Sequence, residues 1–204
     1  MILLIDMSKE IKSKAKHEHL VYCPSEIGIG IIIVSTTRYR EITNNLPSTE
    51  RCLPVIREIL SKPLMLDAKT KYTIVFEKII SDNSTQLKEI VEKYTNPREK
   101  MDVLIFSGGT GITVNDITIE TVEPYFTKTM PGFGEVFRYL SYKEIGNSTI
   151  LSRATAGVVQ NTVLFLLPGS PNAVRIALGD IIAPELPHVM AEIYRELQKD
   201  YRAN

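Results

Sequence analysis

From Ile27 onward, apolar positions form short continuous runs that alternate with stretches of helical spacing. The run IGIGIIIV at 27–34 is rich in β-branched residues, which is typical of a strand covered on both faces. Similar patterns predict strands at 72–80, 101–106, 155–159 and 163–167, and helices at 52–60, 87–94, 116–126, 133–146, 171–181 and 189–197. This alternation predicts an α/β fold, a three-layer domain with a mostly parallel sheet flanked by helices on both faces.

Polar and proline residues set the expected limits of these elements. The polar stretch 35–47 is expected to be a loop. Pro54 lies near the start of the first predicted helix and would kink it if it lay beyond the first turn. Ser170 is a good N-cap for the helix that follows it, and its neighbour proline occupies the first helical position. Pro184 and Pro187 are expected to break that helix.

The chain of 204 residues is expected to form a single α/β domain at 25–204, preceded by an N-terminal extension at 1–24. Ser8 to His19 is polar and lysine-rich, which indicates a solvated extension or one helix lying on a neighbouring subunit. His17 and His19 form a weak metal signal, because a third ligand is missing from the pattern.

Composition narrows the classes of function. Lys+Arg and Asp+Glu both number 24, so the net charge is zero, which argues against a nucleic-acid-binding or membrane-surface protein. No apolar run approaches the roughly 18 residues of a membrane span, and the apolar start of the chain ends at Asp6, too early for a signal peptide. Cys23 and Cys52 form neither a disulfide framework nor a zinc pattern. A cytoplasmic protein is expected.

The segment SGGTGITVND, Ser107 to Asp116, carries the strongest local signal for chemistry. Its three glycines in four positions permit positive φ angles and let backbone N–H groups approach a ligand closely. Exposed amides ahead of a helix favour an anion, so the segment predicts phosphate or carboxylate binding. A tight turn after the strand is the alternative. Neither a Walker A loop nor a GxGxxG fingerprint is present.

Two aspartates have two possible roles each. Asp116 lies five residues beyond Gly111, where a carboxylate beside bound phosphate would need a cation between them, which makes it a candidate Mg²⁺ ligand. It could equally cap the helix that follows. Asp82 follows the second predicted strand and raises the same question, with a cap for the helix at 87–94 as the favoured alternative.

Other segments offer supporting chemistry. The loop 168–172 (PGSPN) leads into a helix and could bind an anion or a purine edge, or it is a plain turn between a strand and a helix. Ser152 and Arg153 offer a hydroxyl and a planar cation to a phosphate. No Ser-His-Asp or Cys-His set is indicated, because all three histidines lie near the chain ends.

Four segments carry a resemblance to a known family: SGGTGITVNDITIETV, MPGFGEVFRYLSYKEIG, STILSRATAG and LLPGSPNAVRIAL, which span most of residues 101–182. The chain resembles the MoaB/MogA family of molybdenum cofactor biosynthesis, the molybdopterin adenylyltransferases, and is most similar to the MoaB branch. The GGTG motif followed by Asp is shared with the CinA and MoeA domains, whereas PGFGEVFR and ILSRA are more particular to MoaB/MogA.

The resemblance implies a trimeric or hexameric protein that binds molybdopterin and Mg-ATP and forms adenylyl-molybdopterin and pyrophosphate. It implies catalytic roles for Asp116 and Asp82, with Mg²⁺ on Asp116. The nucleotide- and substrate-binding residues that it implies are Ser107, Gly108, Gly109, Thr110, Gly111, Ser152, Gly169 and Ser170.

The first loop departs from the family pattern. The family has V-S-D followed later by D-x-S-G, whereas residues 34–50 read VSTTRYREITNNLPSTE, with Thr36 or Thr37 near the acidic position. This departure supports an alternative function, that of a non-catalytic carrier or accessory protein that binds molybdopterin or a nucleotide.

Overall fold

Six strands form one sheet in the computed structural model, which describes residues 20–62, 70–99 and 101–203. The strands are β1 Glu26–Val34, β2 Lys71–Ile80, β3 Val103–Ser107, β4 Lys128–Thr129, β5 Thr155–Val159 and β6 Thr162–Leu167. Their order across the sheet is β2-β1-β3-β6-β5-β4. The neighbouring strands β2, β1, β3 and β6 are parallel to one another. Strand β5 runs antiparallel to β6, and the short edge strand β4 runs antiparallel to β5. The prediction of a mostly parallel sheet is confirmed.

Helices cover both faces of the sheet. They are α1 Thr36–Thr43, α2 Cys52–Leu60, α3 Ser84–Thr95, α4 Thr118–Val122, α5 Pro131–Ile145, α6 Pro171–Val174 and α7 Ala183–Ala203. A π-helical segment, Arg175–Ile182, joins α6 to α7, and 3-10 turns lie at Leu20–Tyr22, Glu123–Tyr125 and Gly146–Leu151. No helix in the described part of the chain has the length and apolar character needed to cross a bilayer. Residues 1–19 of the predicted extension lie outside the described residues.

The core lies in two layers, one on each side of the sheet. Because successive side chains of a strand point to opposite faces, Ile29 and Ile31 of β1 pack against α2, α5 and the C-terminal helical segments. Ile32 and Val34 pack against α3 and α4 on the other face. Both sets are buried, which explains why the strand reads as one continuous apolar run and confirms the three-layer α/β architecture.

The expectation of a loop at 35–47 is wrong, because α1 forms there. None of its residues is buried, so it lacks the apolar stripe by which sequence patterns reveal a helix. Ser35 is its N-cap, with its hydroxyl 3.4 Å from the N–H of Arg38. Pro54 produces no break in α2, because it is the third helical residue, where the N–H has no intrahelical acceptor.

The expectation that Pro184 and Pro187 break the helix that begins after Ser170 is also wrong. Helical structure continues through both prolines into α7. Pro187 has no N–H to donate to the carbonyl of Ala183, four residues earlier. The hydroxyl of Tyr72, on β2, donates to that carbonyl instead, at 2.5 Å. A side chain from the sheet thus satisfies the acceptor that the proline leaves free.

Candidate functional site

The candidate site lies at the carboxyl ends of the parallel strands. The chain goes from β1 outward to β2 and then returns across β1 to β3, so the strand order reverses between β1 and β3. In open α/β sheets, ligands bind at such a switch point. The glycine-rich loop 107–111 follows β3, the loop 168–170 follows β6, and Asp82 follows β2.

The glycine-rich loop is fixed by positions that only glycine fits. Gly108 has a φ of +111° and Gly109 a φ of +63°. A Cβ atom on Gly108 would lie 2.1 Å from the carbonyl oxygen of Val34, and one on Gly169 would lie 3.0 Å from the Cα atom of Gly108. The N–H of Gly108 donates to Leu167 O at 2.9 Å. The loops after β1, β3 and β6 therefore touch through backbone atoms.

Thr118, at the start of α4, holds this loop in place. Its hydroxyl donates to Gly108 O at 2.9 Å, and its N–H donates to Gly109 O at 2.9 Å. The side chain is fully buried. Sequence reasoning missed Thr118, and the available signal was a threonine at the beginning of the short helix that follows the glycine-rich loop. By contrast, the N–H groups of Gly109 and Thr110 make no hydrogen bond to the other residues that the structure describes.

Asp116 closes a turn on the far side of the glycine-rich loop. The N–H and the hydroxyl of Thr113 both donate to its Oδ2, at 2.9 and 2.6 Å. The Thr113 hydroxyl and then the backbone N–H groups of Thr113 and Gly111 hold the pKa of Asp116 below its ordinary value, and the charge of Arg153 adds to them. The N-cap of α4 is Ile117, without a side-chain bond, so Asp116 is not that helix's cap.

Asp82 lies beneath the glycine-rich loop. The cap of α3 is its neighbour Asn83, which accepts from the N–H of Gln86 at 3.0 Å. The Oδ2 atom of Asp82 instead accepts from the N–H and the hydroxyl of Thr36, at 2.9 and 2.7 Å. A Cβ atom on Gly109 would lie 2.9 Å from Asp82 Oδ1. Asp82 thus binds the start of α1 and lies next to Gly109 of the glycine-rich loop, and its catalytic role stays a prediction.

Replacing Thr36 with valine tests this link. The variant keeps the shape of the side chain but loses the hydroxyl that donates to Asp82 at 2.7 Å. We expect the free energy of unfolding to fall by about 1–3 kcal/mol, because the lost hydrogen bond has a charged acceptor. Urea denaturation measures the change. Thr37→Val is the matched control, since Thr37 is exposed in the same helix, and a loss of equal size there would contradict the role given to the Thr36 hydroxyl.

Most of the predicted binding residues line one cavity of about 400 Å³. From the predicted set they are Gly109, Thr110, Gly111, Asp116, Ser152, Gly169 and Ser170, and the cavity is completed by Leu151, Arg153 and Pro168. Three predicted residues are not in its lining: Asp82, Gly108 and Ser107, whose hydroxyl lies 3.4 Å from Pro168 O. The structure therefore brings the two loops together, and the binding roles of their residues remain predictions.

Arg153 joins the glycine-rich loop to α4 at the cavity wall. Its Nε donates to the carbonyl oxygen of Thr110 at 2.9 Å, and its Nη2 lies 2.7 Å from Glu120 Oε1. On the opposite wall, Ser170 caps α6 as predicted, and its hydroxyl accepts from the N–H of Ala173 at 3.2 Å. Both side chains therefore have protein partners at the cavity wall.

The atypical first loop folds back on α1. Glu41 accepts from the N–H and the hydroxyl of Thr49, at 2.9 and 2.7 Å, and pairs with Arg38 at 2.9 Å. A second cavity of about 190 Å³ lies beside this loop and shares Gly169 with the first cavity. Its wall includes Cys52, whose pKa burial raises to about 11. That thiol is therefore neutral at physiological pH and a poor nucleophile.

A resident metal would have to bind through few protein ligands. The part of the chain that the structure describes contains no group of three His, Cys, Asp or Glu side chains arranged to hold an ion. Mg²⁺ in phosphate-binding sites commonly uses one or two carboxylates together with substrate phosphates and water. The ionised carboxylate of Asp116 at the cavity wall fits that mode of binding, whereas zinc, which needs three or four N or S ligands, does not fit.

Comparison with known proteins identifies relatives over most of the domain. Residues 30–188 match the model of the MoCF_biosynth family, described as a probable molybdopterin binding domain. Molybdenum cofactor biosynthesis protein B of Bacillus subtilis (strain 168) is 52% identical over 99 residues, which are 48% of this chain and 58% of that protein. The protein of the same name from Bacillus anthracis is 36% identical over 180 residues, 88% of this chain and 98% of the relative.

Solved structures share the fold. The crystal structure of the tungsten cofactor synthesizing protein MoaB from Pyrococcus furiosus superposes with a TM-score of 0.67 and 35% sequence identity. The superposition covers 84% of this chain and 99% of that chain.

Proposed function

Because the chain belongs to the MoaB/MogA family of molybdenum cofactor biosynthesis proteins, we propose that it adenylylates molybdopterin with Mg-ATP, releasing pyrophosphate. The observation that carries the proposal is the meeting of the glycine-rich loop, Asp116 and the loop 168–170 around one cavity. Two N–H groups of the glycine-rich loop, those of Gly109 and Thr110, have no partner among the described residues. They are therefore available to phosphate oxygens.

The reaction joins two polyanions. An oxygen of the pterin's phosphate monoester attacks the α-phosphorus of ATP, the new P–O bond forms, and the bond to the β-phosphate breaks as pyrophosphate leaves. The second pKa of a phosphate monoester is near 6, so the nucleophile is already largely dianionic at neutral pH. No general base is required, which agrees with the cavity lining, where the described residues include neither His nor Lys.

The remaining barrier is charge repulsion and alignment. The free N–H groups of Gly109 and Thr110 and the guanidinium of Arg153 would bind phosphate oxygens and orient the in-line attack. Asp116 would hold Mg²⁺, and the ion would supply positive charge between the reacting phosphates. Asp82, whose Oδ2 atom binds Thr36, would act from a position next to Gly109 beneath the loop.

The test is a direct assay of pyrophosphate. We expect the protein, mixed with ATP, MgCl₂ and molybdopterin, to release one pyrophosphate for each adenylyl-molybdopterin formed, as measured by a coupled pyrophosphate assay and chromatography. Omitting molybdopterin controls for ATP hydrolysis. Binding of both substrates without release of pyrophosphate would contradict the proposal.

A non-catalytic carrier or accessory protein is the second candidate function. The observation that favours it is the first loop, where Arg38, Glu41 and Thr49 satisfy one another. Those side chains are thereby less available to a substrate. Binding of molybdopterin or nucleotide without turnover is the result that the carrier predicts.

We propose that the protein works as a homotrimer or hexamer in the cytoplasm, without nucleic acid as a partner. Exposed apolar side chains are frequent along α5 and the 3-10 turn after it, which supports self-association. They are Val136, Tyr139, Tyr142, Ile145, Ile150 and Leu151. Large apolar side chains left exposed in this number favour a contact with another protein surface. The zero net charge of the chain supports the absence of a nucleic-acid partner.

A further inference from the structure

Among the described residues that line the larger cavity, Arg153 is the one cation. Its guanidinium has two partners. Nε donates to the carbonyl of Thr110 inside the glycine-rich loop, which fixes the planar group beside the N–H groups of that loop. Nη2 pairs with Glu120 of α4. An arginine has five N–H donors, and these are its two partners among the described residues.

The two partners differ in how firmly they hold the guanidinium. The Thr110 carbonyl belongs to a loop that is fastened by Thr118 and by the contact with Val34. The Glu120 side chain is 52% exposed and ends a flexible stem on the surface of α4. Exposed ion pairs contribute little to stability and are screened by salt. Glu120 can therefore turn into water at small cost, while Arg153 keeps its position through Nε.

We propose that Arg153 binds a phosphate group of the nucleotide and that Glu120 is its internal counter-ion, which this phosphate displaces. The inference rests on the proposed function, since it assigns the phosphate-binding cation of the same cavity. Planar guanidinium groups bind phosphate through two parallel N–H···O bonds, a geometry that matches phosphate oxygens. After the exchange, the Nε bond to Thr110 is unchanged and the Nη groups face the ligand.

The exchange imposes the same cost on every ligand that uses Arg153. Each anion must first release Glu120 from the guanidinium, so Glu120 lowers the affinity for all of them by one common factor. The preference for phosphate comes from Arg153 itself, because a phosphate group brings more negative charge and more acceptor oxygens to the guanidinium than a carboxylate does.

The experiment measures anion binding by isothermal titration calorimetry at low ionic strength, with ATP and inorganic pyrophosphate as probes in the presence of MgCl₂. We expect Glu120→Gln to bind both probes about two- to fivefold more tightly. The substitution removes a competing ion pair, and the interaction energy of an exposed ion pair corresponds to a change of this size. The gain should shrink as salt is added. Glu99→Gln is the matched control, since Glu99 is 55% exposed and pairs with Lys93 outside the cavity lining.

A second variant tests whether the effect acts through Arg153. In an Arg153→Gln background, the additional change Glu120→Gln should leave the affinity unchanged, because the cation for which Glu120 and the ligand compete is gone.

The proposal is overturned if Glu120→Gln binds no more tightly than Glu99→Gln. This outcome decides the matter even if Arg153→Gln does not fold. Tighter binding by Glu120→Gln without pyrophosphate release from the unaltered protein would uphold this inference and remove the enzymatic function. Pyrophosphate release by the unaltered protein, together with equal binding by Glu120→Gln and Glu99→Gln, would uphold the enzymatic function and overturn this inference.

Discussion

Replacing Gly108 with alanine is expected to destabilise the protein severely. Gly108 has a φ of +111°, a conformation that L side chains rarely adopt, and its new Cβ atom would lie 2.1 Å from the carbonyl oxygen of Val34. That oxygen belongs to the backbone at the end of β1, so it cannot rotate away. Strain and overlap together should cost about 3–5 kcal/mol, a large part of the roughly 5–15 kcal/mol by which domains are stable. Urea denaturation of the purified variant measures the loss.

Gly132→Ala is the control for this substitution. Gly132 lies in α5, and an added Cβ atom there meets nothing within 4 Å. Alanine in a helix is favoured over glycine by about 0.5–1 kcal/mol, so stability should stay the same or rise slightly. A similar large loss in both variants would show that the sensitivity is general and does not come from the contact between Gly108 and Val34.

Asp116→Asn is expected to abolish most adenylylation while leaving the fold intact. The amide oxygen can still accept from the N–H and hydroxyl of Thr113, so the turn should keep its shape. What disappears is the negative charge that would hold Mg²⁺ among the phosphates. We expect kcat to fall by about a hundredfold or more, the scale seen when one electrostatic element of a transition-state site is removed. The measurement is pyrophosphate release at saturating ATP, molybdopterin and MgCl₂.

Asp180→Asn provides the matched comparison, because Asp180 is exposed on the π-helical segment and lies outside the cavity lining. Its kcat should be unchanged. Near wild-type activity of Asp116→Asn at saturating MgCl₂ would show that the carboxylate does not hold the ion. The lowered pKa of Asp116 keeps its carboxyl group ionised at neutral pH. Equal activity of the two proteins could therefore not be explained by a protonated, uncharged Asp116 in the unaltered protein.

The sheet could be predicted because burial constrains sequence strongly. A strand covered on both faces must be apolar at every position, and 27–34 and 163–167 show that pattern, as do β1 and β6 in the structure. Helix α1 could not be predicted, since none of its residues is buried. Its first N–H is held by Asp82, which is 46 residues away in the chain. The N-cap Ser35 is local, but the acceptor for this first helical N–H comes from the loop after β2 and leaves no pattern near α1.

The candidate site was predictable to the extent that its backbone conformation demands glycine. Gly108 and Gly109 have positive φ angles, and such positions can be read from a glycine-rich segment. The sequence does not predict in the same way that Asp116 lines the cavity and Asp82 does not. Asp116 reaches the cavity through a turn closed by Thr113, whereas Asp82 is turned beneath the loop toward Thr36. The partner of Asp82 is 46 residues away and reaches it only when the strands assemble. The turn at Asp116 is local, but it becomes part of a cavity only when the loop 168–170 lies beside it.

The bond from Tyr72 to the carbonyl of Ala183 makes the edge of the sheet and the C-terminal helix one cooperative unit. The two residues are 111 positions apart in the chain. Burial raises the pKa of Tyr72, so its hydroxyl keeps its proton as the donor at physiological pH. Fraying of β2 would leave that carbonyl without a donor beside Pro187, and the helix would weaken at the same moment. Amide hydrogen exchange in the two segments should therefore follow a single opening event.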